Sequence, residues 1–560
     1  MALTIQIGKR CGNDWMMAIA RNAPIRNTPI APVDLWRQLR PDWLVVDRGL
    51  VPNRGDGRCL AESPAESSVE SPAESSVETL VKGRLCQLEK FTTDQHPSPS
   101  TSRPLLLIAQ SEPTEFLASF WAALLSGWDI ALANPNWGQQ EWQSVSQLLQ
   151  PSLIWPAALA STLSPFCSFS ASLPASFSDS LSLSPASPPA ILIPTGGSSG
   201  NIKFARHTWH SLTIAALGFC NHFQPDGGPI NAYCVLPLYH VSGLMQAIRT
   251  IVSGGQLFFS PFKSLLSASS QPASPSLSTY LSSTYSSTYL SLVPTQLERL
   301  LQANKAAWLS QFYAVLLGGA PPWRSLISQA IAQQIPIYLS YGMTETGAMI
   351  TAARVESSVI LSSDGLSSID KNTSIFSSGQ VLPHATVHVE RDGQGLPSGE
   401  VGQIVVRSAA IAQGYYNLPS SAFASGIFYT DDLGYLDAAG ALHITGRSSR
   451  KIISGGENIF PTEVEAALRS TGQVSDVVVI GLPHPEWGEV VTAIYVPTDD
   501  TVSAKSLKQS SQLAQLSRYK HPKQWIAVRH LPRNAQGKVN QSALLAKAAA
   551  ATDGSSLEKT

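Results

Sequence analysis

At 560 residues the chain is long enough for more than one domain, each with a buried core of ordinary size. Its formal net charge of -1 gives no electrostatic attraction for nucleic acid or for an anionic membrane, so neither class of partner is expected. The six cysteines form no CxxC pair and no evenly spaced framework. We therefore expect no disulfide scaffold and no zinc site, and we place the protein in a reducing, cytoplasmic compartment.

The apolar stretches are too short or too interrupted to enter a membrane. The N-terminal segment MALTIQIGKRCGNDW lacks the continuous apolar core of a signal peptide. The most apolar run, Phe116–Leu125, is shorter than the ~20 residues that a spanning helix needs, so it predicts a buried helix. We expect no membrane insertion, and the sequence leaves open whether the protein forms a homo-oligomer.

Serine-rich segments interrupt the chain and predict disordered loops inserted into a folded framework. They span about 57–80, 161–189 and 264–288, and the first contains a tandem repeat of ESPAESSV. Such compositions bury too little apolar surface to offset the entropy cost of ordering. A milder segment of the same kind spans about Asp499–Leu516.

Between these segments, short apolar runs alternate with helix-length stretches such as Trp209–Phe219, which predicts parallel strands joined by crossover helices. The apolar runs are PLLLIAQ (104–110), AILIPT (190–195), NAYCVLPL (231–238), YAVLLGG (313–319) and PIYLSYG (336–342). From about residue 396 the strands become shorter and richer in turns. A last unit, with one helix and two strands, begins after a joint near Gly446–Lys451.

These patterns predict an α/β protein with two domains. The large N-terminal domain, residues 1–446, would contain parallel-rich sheets packed with helices, together with a β-subdomain. Residues 447–451 would form a hinge, and residues 452–560 a small α+β C-terminal domain.

The segment IPTGGSSGNIKF (193–204) lies between a predicted buried strand and a predicted helix, where parallel sheets bind ligands. Its glycines let backbone amides approach an anion, its serine hydroxyls can donate to phosphate oxygens, and Lys203 adds a positive charge. The spacing is not that of a Walker A loop. A polar linker is the alternative interpretation, but the preceding strand and the lysine favour a phosphate-binding loop.

The segment SYGMTETG (340–347) also follows an apolar strand directly. Tyr341 can stack on a nucleotide base and Thr344 can hydrogen-bond a phosphate. Glu345 can bind Mg²⁺, which prefers oxygen ligands. Taken alone, the triplet TET is more typical of a helix cap than of a binding site.

Two further segments carry candidate groups near the joint and near the C-terminus. Asp432 in YTDDLGYLD can accept the hydroxyls of a ribose, and Arg447 can reach the same sugar or a phosphate. An aspartate before a turn is also common turn chemistry. PRNAQGKV contains Lys538, and a lysine at such a position is ordinarily exposed to solvent.

Taken in order along one chain, these motifs resemble those of the adenylate-forming superfamily of acyl-CoA synthetases, luciferases and peptide-synthetase adenylation domains. The resemblance covers roughly residues 100–545 apart from the serine-rich insertions. It implies that the C-terminal domain is mobile, and it implies a two-step reaction. A carboxylate and ATP give an acyl-adenylate and pyrophosphate, and a thiolate then gives the thioester and AMP. The implied cofactors and partners are ATP, Mg²⁺, coenzyme A and a small-molecule carboxylic acid.

The resemblance also implies roles for residues at matching positions. Lys538 would bridge the substrate carboxylate and the α-phosphate, Thr344 would contact that phosphate, and Glu345 would hold Mg²⁺. Ser449 would be the hinge residue, and after domain rotation Gly455–Gly456 would help to admit coenzyme A. The residues implied to bind the phosphates, adenine and ribose of ATP are Thr195, Gly197, Ser198, Ser199, Gly200, Lys203, Gly318, Gly319, Ala320, Pro321, Tyr341, Gly342, Asp432 and Arg447.

The phosphate segment departs from the superfamily's common TSGTTGKPKG at three positions. Gly196 replaces the serine, Asn201 the first lysine and Phe204 the last glycine, whereas Lys203 is kept. Asp431 stands before Asp432 where a glycine is common. Phosphate binding is still implied, with one lysine instead of two.

Within the superfamily, the closest likeness is to the 2-succinylbenzoate–CoA ligase branch of menaquinone and phylloquinone synthesis. It implies that His240 lies between the acyl and nucleotide pockets as a catalytic and substrate-binding group, although a packed loop histidine is the alternative. Ser242, Gly243 and Met343 would line the acyl site, where a small residue leaves room for a ring. The segments that carry this likeness are LPLYHVSGLMQAIRT (236–250), LSLVPTQLERLL (290–301) and IISGGENIFPTEVEAAL (452–468).

Three alternatives stay open at this point. A general aryl- or fatty-acyl-CoA ligase would share all the nucleotide motifs. An adenylation enzyme that loads a carrier protein is less consistent, because no carrier sequence follows residue 545. An inactive nucleotide-binding homologue is disfavoured because Glu345, Asp432 and Lys538 are all present.

Overall fold

The computed structural model describes a defined part of the chain: residues 31–32, 34, 44–46, 76–95, 103–156, 188–196, 202–267, 287–356, 377–454, 457–484, 487–514, 516–533, 539–540 and 543–548. Gly197–Gly200, Gly455–Gly456 and Lys538 lie outside these described residues, as do most residues of the three predicted insertions. Within the described ranges no helix is long and apolar enough to cross a membrane.

Strands and helices alternate over most of the chain, and both are numbered here in chain order. The strands are β1 Leu44–Val46, β2 Leu105–Ile108, β3 Asp129–Leu132, β4 Leu153–Trp155, β5 Ala190–Gly196, β6 Ile202–Thr208, β7 Asn231–Cys234, β8 Leu257–Phe259, β9 Thr288–Leu292, β10 Ala314–Leu317, β11 Ile337–Met343, β12 Ala348–Arg354, β13 Gln380–Val381, β14 Thr386–Arg391, β15 Gln394–Gly395, β16 Gly402–Arg407, β17 Phe423–Ala424, β18 Ile427–Leu436, β19 Leu442–Arg447, β20 Ile452–Ser454, β21 Glu457–Ile459, β22 Val474–His484, β23 Gly488–Pro497 and β24 Gln524–Ala527.

The helices connect these strands and cover the faces of the sheets. The α-helices are α1 Ser76–Gln95, α2 Pro113–Leu125, α3 Gln139–Leu148, α4 Trp209–Phe223, α5 Val241–Ser253, α6 Phe262–Ser267, α7 Pro294–Gln302, α8 Ala306–Leu309, α9 Arg324–Ala332, α10 Pro461–Ser470, α11 Ala504–Lys508 and α12 Ser511–Ala514. Short 3₁₀ turns span Thr344–Thr346, Ser448–Arg450 and Arg518–Lys520.

Two parallel-rich sheets form the body of the N-terminal domain. The first has the strand order β1-β8-β7-β9-β10-β11-β12-β13, and the second has the order β4-β2-β3-β5-β6. Antiparallel pairing occurs between β11, β12 and β13 and between β5 and β6. The predicted α/β class is therefore confirmed, because the apolar runs form buried parallel strands.

Helices α2, α4 and α5 pack between the two sheets and contribute to one core with side chains of both. The predicted buried helix at Phe116–Leu125 is confirmed as part of α2, which begins after Glu112, whose side chain accepts from the backbone N–H of Glu115. Trp121 in this helix is 1% exposed, and its ring centroid lies 5.4 Å from that of Trp209 in α4. The aromatic contact joins two helices that the sequence leaves unrelated.

The remaining sheets correspond to the predicted β-subdomain and C-terminal domain. Strands β14 to β19 form an antiparallel sheet, with the order β15-β14-β16-β18-β17 and β19 paired to β18. Strands β20 to β24 form a separate sheet covered by α10, with its own buried cluster. The chain passes from the first of these sheets to the second through the turn at Ser448–Arg450.

The bounds predicted for the disordered insertions include residues that the structure places in helices and strands. Helix α1 includes residues 76–80, α6 includes 264–267, and β9 begins at Thr288. Asp499–Leu516 contains helices α11 and α12, so its prediction as an unstructured segment was wrong. In each case a few apolar side chains reach a core: Val77 is 7% exposed, and Leu507 and Leu513 are fully buried.

Leu106 gives a test of this core, because it is fully buried in β2 between β3 and β4. We expect Leu106→Ala to lower the free energy of unfolding by about 2–5 kcal/mol, since the cavity adds to the lost apolar burial. The matched control Leu418→Ala, at a side chain that is 40% exposed, should cost about 0.5 kcal/mol or less. Urea unfolding midpoints measure both, and equal midpoints would contradict the placement of Leu106.

Candidate active site

The predicted site residues gather where parallel strands end. His240 follows β7, Gly318 follows β10, and Tyr341 lies near the end of β11. These strands run parallel in the order β7-β9-β10-β11, so their carboxyl ends share one edge of the sheet. At about 4.8 Å per strand, the ends of β7 and β11 are separated by ~14 Å, which is the span of a nucleotide-sized ligand.

The loop after β10 lies directly against the next strand. Ser340 Oγ donates to the Leu317 carbonyl at 2.9 Å. A Cβ atom on Gly318 would approach Ser340 Oγ to 2.7 Å, so glycine is required for this close packing. Residues 319–321 are exposed and therefore accessible to a ligand beside Tyr341.

The phosphate segment is flanked by two strands rather than by a strand and a helix. Strand β6 pairs antiparallel with β5 and places Thr195 opposite Lys203, on either side of the residues that lie outside the described part. Phe204, which stands where the superfamily has glycine, is fully buried, and its ring centroid lies 6.5 Å from that of Trp137. The substitution therefore adds apolar packing beneath the loop.

The turn at Thr344–Thr346 is built by local hydrogen bonds. Thr346 Oγ1 accepts from the Met343 N–H at 3.0 Å and contacts the Ala348 carbonyl at 2.7 Å. Gly347 ends the turn with φ +66°, a conformation that favours glycine. Thr346 thus has the capping role expected of a TET triplet, which leaves Glu345 for other contacts.

Glu345 is 7% exposed, and one of its carboxylate oxygens is held by a distant residue. Tyr415 donates its phenolic O–H to Glu345 Oε1 at 2.8 Å, and the backbone N–H of Ala412 donates to the Glu345 carbonyl at 2.8 Å. Burial, and then the charge of Glu345, raise the pKa of Tyr415, so its phenol stays protonated as a donor. The motif SYGMTETG gave no indication of this contact between Glu345 and Tyr415.

His207 supports the turn from the opposite side. Its fully buried imidazole bonds through Nε2 to the Thr344 carbonyl at 2.7 Å and through Nδ1 to Ser211 Oγ at 3.0 Å. Burial lowers the pKa of His207 to about 4, although the bond to the Thr344 carbonyl opposes the shift. The ring is therefore neutral at pH 7, and it fixes the backbone beside the expected α-phosphate contact.

Asp432 unites three of the predicted residues. Its Oδ2 accepts from the Tyr341 hydroxyl at 2.7 Å, and its Oδ1 accepts from Arg447 Nε at 2.8 Å. Asp432 and Arg447 face each other in the register of β18 and β19, which explains why a spacing of 15 residues brings them together. Burial and the Asp432 charge raise the pKa of Tyr341, so that hydroxyl also remains a donor.

His240, Ser242 and Gly243 lie at the start of α5. His240 is the N-cap residue of this helix, and Ser242 is exposed. A Cβ atom on Gly243 would lie 2.1 Å from the Pro237 carbonyl oxygen. Close backbone packing therefore requires glycine there, whatever space it leaves for a ligand.

Helix α5 also carries polar groups that sequence reasoning missed. Ser242, Gln246 and Arg249 repeat at the spacing of one helical face. Gln246 Nε2 donates to the Ser242 carbonyl at 2.9 Å, whereas its buried Oε1 has no hydrogen-bond partner in the part of the chain that the structure describes. The sequence does show an arginine within an apolar helix, which could have drawn attention to Arg249. It does not show whether that arginine has a carboxylate partner.

Arg249 is 5% exposed and lies over the ring of Phe219, with 4.0 Å from its Cζ to the ring centroid. Among the described residues, its Nε has no hydrogen-bond partner and its guanidinium makes no salt bridge with a carboxylate. Both ring nitrogens of His384, whose pKa burial and the charge of Arg249 lower, are also buried without a hydrogen-bond partner within the described ranges. Burial lowers the pKa of Arg249 to about 10, so the guanidinium remains charged at pH 7.

Ser449, the expected hinge residue, is fastened to the N-terminal domain by one carboxylate. The backbone N–H of Ser449 donates to Asp431 Oδ1 at 3.0 Å, and its hydroxyl bonds to Asp431 Oδ2. Asp431 and Asp432 are adjacent on β18, so the hinge and the expected ribose contact lie side by side.

Comparison with known proteins gives matches along most of the chain. The family model described as AMP-binding enzyme matches residues 106–416, and the model of its C-terminal domain matches residues 463–538. The 2-succinylbenzoate–CoA ligase of Geobacillus sp. (strain WCH70) is 31% identical over 355 residues, 62% of this chain and 67% of that protein. The enzyme of the same name from Bacillus velezensis is 34% identical over 360 residues, 62% of this chain and 67% of that protein.

Solved structures share the fold. The o-succinylbenzoate CoA synthetase of Bacillus subtilis, in complex with its acyl-adenylate intermediate, superposes with a TM-score of 0.68 at 23% identity. That match covers 92% of this chain and 98% of the other. ATP-bound MatB of Rhodopseudomonas palustris has a TM-score of 0.64 at 24% identity, covering 84% of this chain and 92% of the other. At these identities the likeness establishes the architecture of both domains.

His207 predicts an acid-sensitive contribution to stability. Because its folded pKa is about 4 and the ordinary value is 6.5, the unfolded state binds more protons between these pH values. The contribution is fully present above pH 6.5 and is lost as the pH falls toward 4, up to about 3 kcal/mol. His207→Gln should therefore reduce the loss of stability across this window, measured as the change in urea midpoint.

The exposed His210, in the first turn of α4, gives the matched control. His210→Gln should leave the pH dependence of the urea midpoint as in the unaltered protein. The same pH dependence in His207→Gln as in the unaltered protein would contradict a buried, neutral His207.

Proposed function

The chain belongs to the AMP-binding enzyme family, and from this premise we propose that it is an AMP-forming acid–CoA ligase that converts 2-succinylbenzoate to 2-succinylbenzoyl-CoA. Mg²⁺ is its cofactor, and ATP and coenzyme A are its co-substrates. The first step joins the substrate carboxylate to AMP and releases pyrophosphate, and the second transfers the acyl group to the thiol of coenzyme A.

The observation that carries the ligase proposal is that hydrogen bonds join the elements on which the expected nucleotide residues lie: His207 of β6 bonds to the Thr344 carbonyl, and Tyr341 of β11 donates to Asp432 of β18. Thr195 and Lys203 face the phosphates, and Tyr341 with the loop from Gly318 bounds the adenine. Asp432, already aligned by two hydrogen bonds, receives the ribose. Fixed donors and acceptors of this kind lower the cost of orienting the substrates.

Glu345 suits Mg²⁺ as one protein ligand among phosphate oxygens. Its Oε1 is occupied by Tyr415, whereas no contact to another described residue engages Oε2. The described residues contain no cluster of three or more His, Cys, Asp or Glu side chains that would hold an ion alone. Mg²⁺ is commonly bound by one or two carboxylates plus substrate phosphates, and when bound it neutralises charge on those phosphates.

The names of the relatives motivate the choice of acid, and Arg249 gives a physical reason for it. 2-Succinylbenzoate has two carboxylates, of which one is activated and the other stays ionised. Arg249 is a buried cation without a carboxylate partner among the described residues, on the helical face that begins at Ser242. A second carboxylate of the substrate would neutralise it, whereas a fatty acid offers no group to do so.

We further propose that Ser449 is the hinge and that Asp431 restrains it. Rotation about this residue has to break the two hydrogen bonds to Asp431. It would bring Gly455–Gly456, which lie outside the described residues, toward the thioester-forming site. The same restraint keeps the C-terminal domain in one orientation until the adenylate forms.

A thioester assay with ATP and coenzyme A tests the substrate across 2-succinylbenzoate, benzoate and a fatty acid. We expect turnover of 2-succinylbenzoate alone, and Arg249→Met should raise its KM at least tenfold with the KM of ATP unchanged. Arg249→Lys keeps the charge and should retain most of the affinity. Arg391→Met, at a side chain that is 57% exposed, is the control. Equal turnover of the fatty acid would overturn the choice of acid, leaving the ligase reaction intact.

Lys538 is proposed to bridge the substrate carboxylate and the α-phosphate as negative charge builds between them. Lys538→Ala should therefore abolish pyrophosphate release in the first step, which acid-dependent exchange of labelled pyrophosphate into ATP measures. Lys547→Ala, at an exposed lysine nine positions further along the chain, should leave exchange unchanged. Normal exchange in Lys538→Ala would remove Lys538 from this role.

A further inference from the structure

Tyr415 lies in a segment that hydrogen-bonds both to β6, which carries Lys203, and to the turn that carries Glu345. Residues 413–416 run antiparallel to β6, with hydrogen bonds from Gln413 N–H to the Arg206 carbonyl at 2.8 Å and from Tyr416 N–H to the Phe204 carbonyl at 2.8 Å. The bridge between Ala205 and Tyr415 sets the register. The same segment reaches the Glu345 backbone through Ala412, so Tyr415 is fixed relative to both strands.

Two different parts of the Tyr415 side chain contact two residues with expected roles in binding the metal–nucleotide complex: Glu345, the expected Mg²⁺ ligand, and Lys203, the expected phosphate contact. Its hydroxyl donates to Glu345 Oε1 at 2.8 Å. The ammonium of Lys203 lies 5.1 Å from the centroid of its ring, within the range of a cation–π contact. Phe423 packs on the ring edge with 5.1 Å between centroids, which holds the ring in place independently of the hydroxyl.

We infer that Tyr415 is a positioning residue that sets Glu345 and Lys203 for binding of the metal–nucleotide complex. This inference rests on the proposed function. A carboxylate that binds Mg²⁺ through one oxygen has to present that oxygen in a fixed direction, because the ion requires near-ideal octahedral geometry. By occupying Oε1, the Tyr415 hydroxyl leaves Oε2 as the oxygen available to the ion.

The ring has the separate effect of keeping Lys203 close to the loop. A lysine loses rotamer entropy when it binds a phosphate, and an aromatic face that already holds its ammonium reduces that loss. This matters here because Asn201 replaces the first of the two lysines that are common in the superfamily. Tyr415 thus compensates in part for a phosphate loop with a single lysine.

The two effects are separable by substitution. Tyr415→Phe removes the hydroxyl but keeps the ring under Lys203 and against Phe423, whereas Tyr415→Leu removes both effects. Tyr416→Phe is the matched control, because it removes the hydroxyl of the neighbouring tyrosine, whose ring joins a different cluster near Phe204. Thermal unfolding of each variant shows that it is folded.

The readout is Mn²⁺ binding in the presence of ATP, followed by electron paramagnetic resonance, together with pyrophosphate exchange as a function of Mg²⁺. We expect Tyr415→Phe to weaken Mn²⁺ binding about tenfold and to change the KM of ATP at saturating Mg²⁺ less than twofold. Tyr415→Leu should weaken Mn²⁺ binding similarly and also raise the KM of ATP severalfold. Tyr416→Phe should match the unaltered protein in both measurements.

Equal Mn²⁺ affinity in Tyr415→Phe and the unaltered protein would overturn the inference and leave the proposed function standing. Failure of the unaltered protein to bind Mn²⁺ with ATP would overturn the proposed nucleotide chemistry and this inference with it. Weakened Mn²⁺ binding in Tyr415→Phe, with no activation of 2-succinylbenzoate by the unaltered protein, would support the inference and overturn only the choice of acid.

Discussion

The turn at Thr344–Thr346 is the point on which the candidate site depends, because two sheets are joined there by partly buried hydrogen bonds. The turn continues β11 of the eight-stranded sheet. His207, from the five-stranded sheet, bonds to the Thr344 carbonyl, and Tyr415, whose segment pairs antiparallel with β6, bonds to Glu345. Such bonds are strong in a low-dielectric interior and costly to leave unmade. These hydrogen bonds therefore fix the position of Glu345 relative to β6.

Much of the fold was predictable because buried parallel strands appear as continuous apolar runs. The runs at 104–110, 190–195 and 313–319 contain β2, most of β5 and β10, and the superfamily motifs follow the expected strand ends. Composition was misleading where a few apolar residues are enough to make a polar segment fold. Leu507 and Leu513 lie in a polar, serine-containing stretch, yet both are fully buried in the C-terminal core.

The long-range contacts of the site were not predictable from the sequence. His207 and Thr344 are 137 positions apart, and Tyr415 and Glu345 are 70 apart, so neither pair forms a local pattern. The pairing of Asp432 with Arg447 depends on the register of a hairpin, which a motif does not specify. The sequence supplied the residues that are expected to face the ligands, whereas the residues that hold them were visible only in three dimensions.

The two hydrogen bonds on Asp432 have a consequence for sugar recognition. A carboxylate has about four lone-pair directions, and Tyr341 and Arg447 use one on each oxygen. The directions left for a sugar are fixed before the nucleotide arrives, so only hydroxyls at matching angles can use them. Under the proposed function, the protein distinguishes one sugar from another by the stereochemistry of its hydroxyls, and the negative charge of Asp432, already balanced by Arg447, contributes little to that choice.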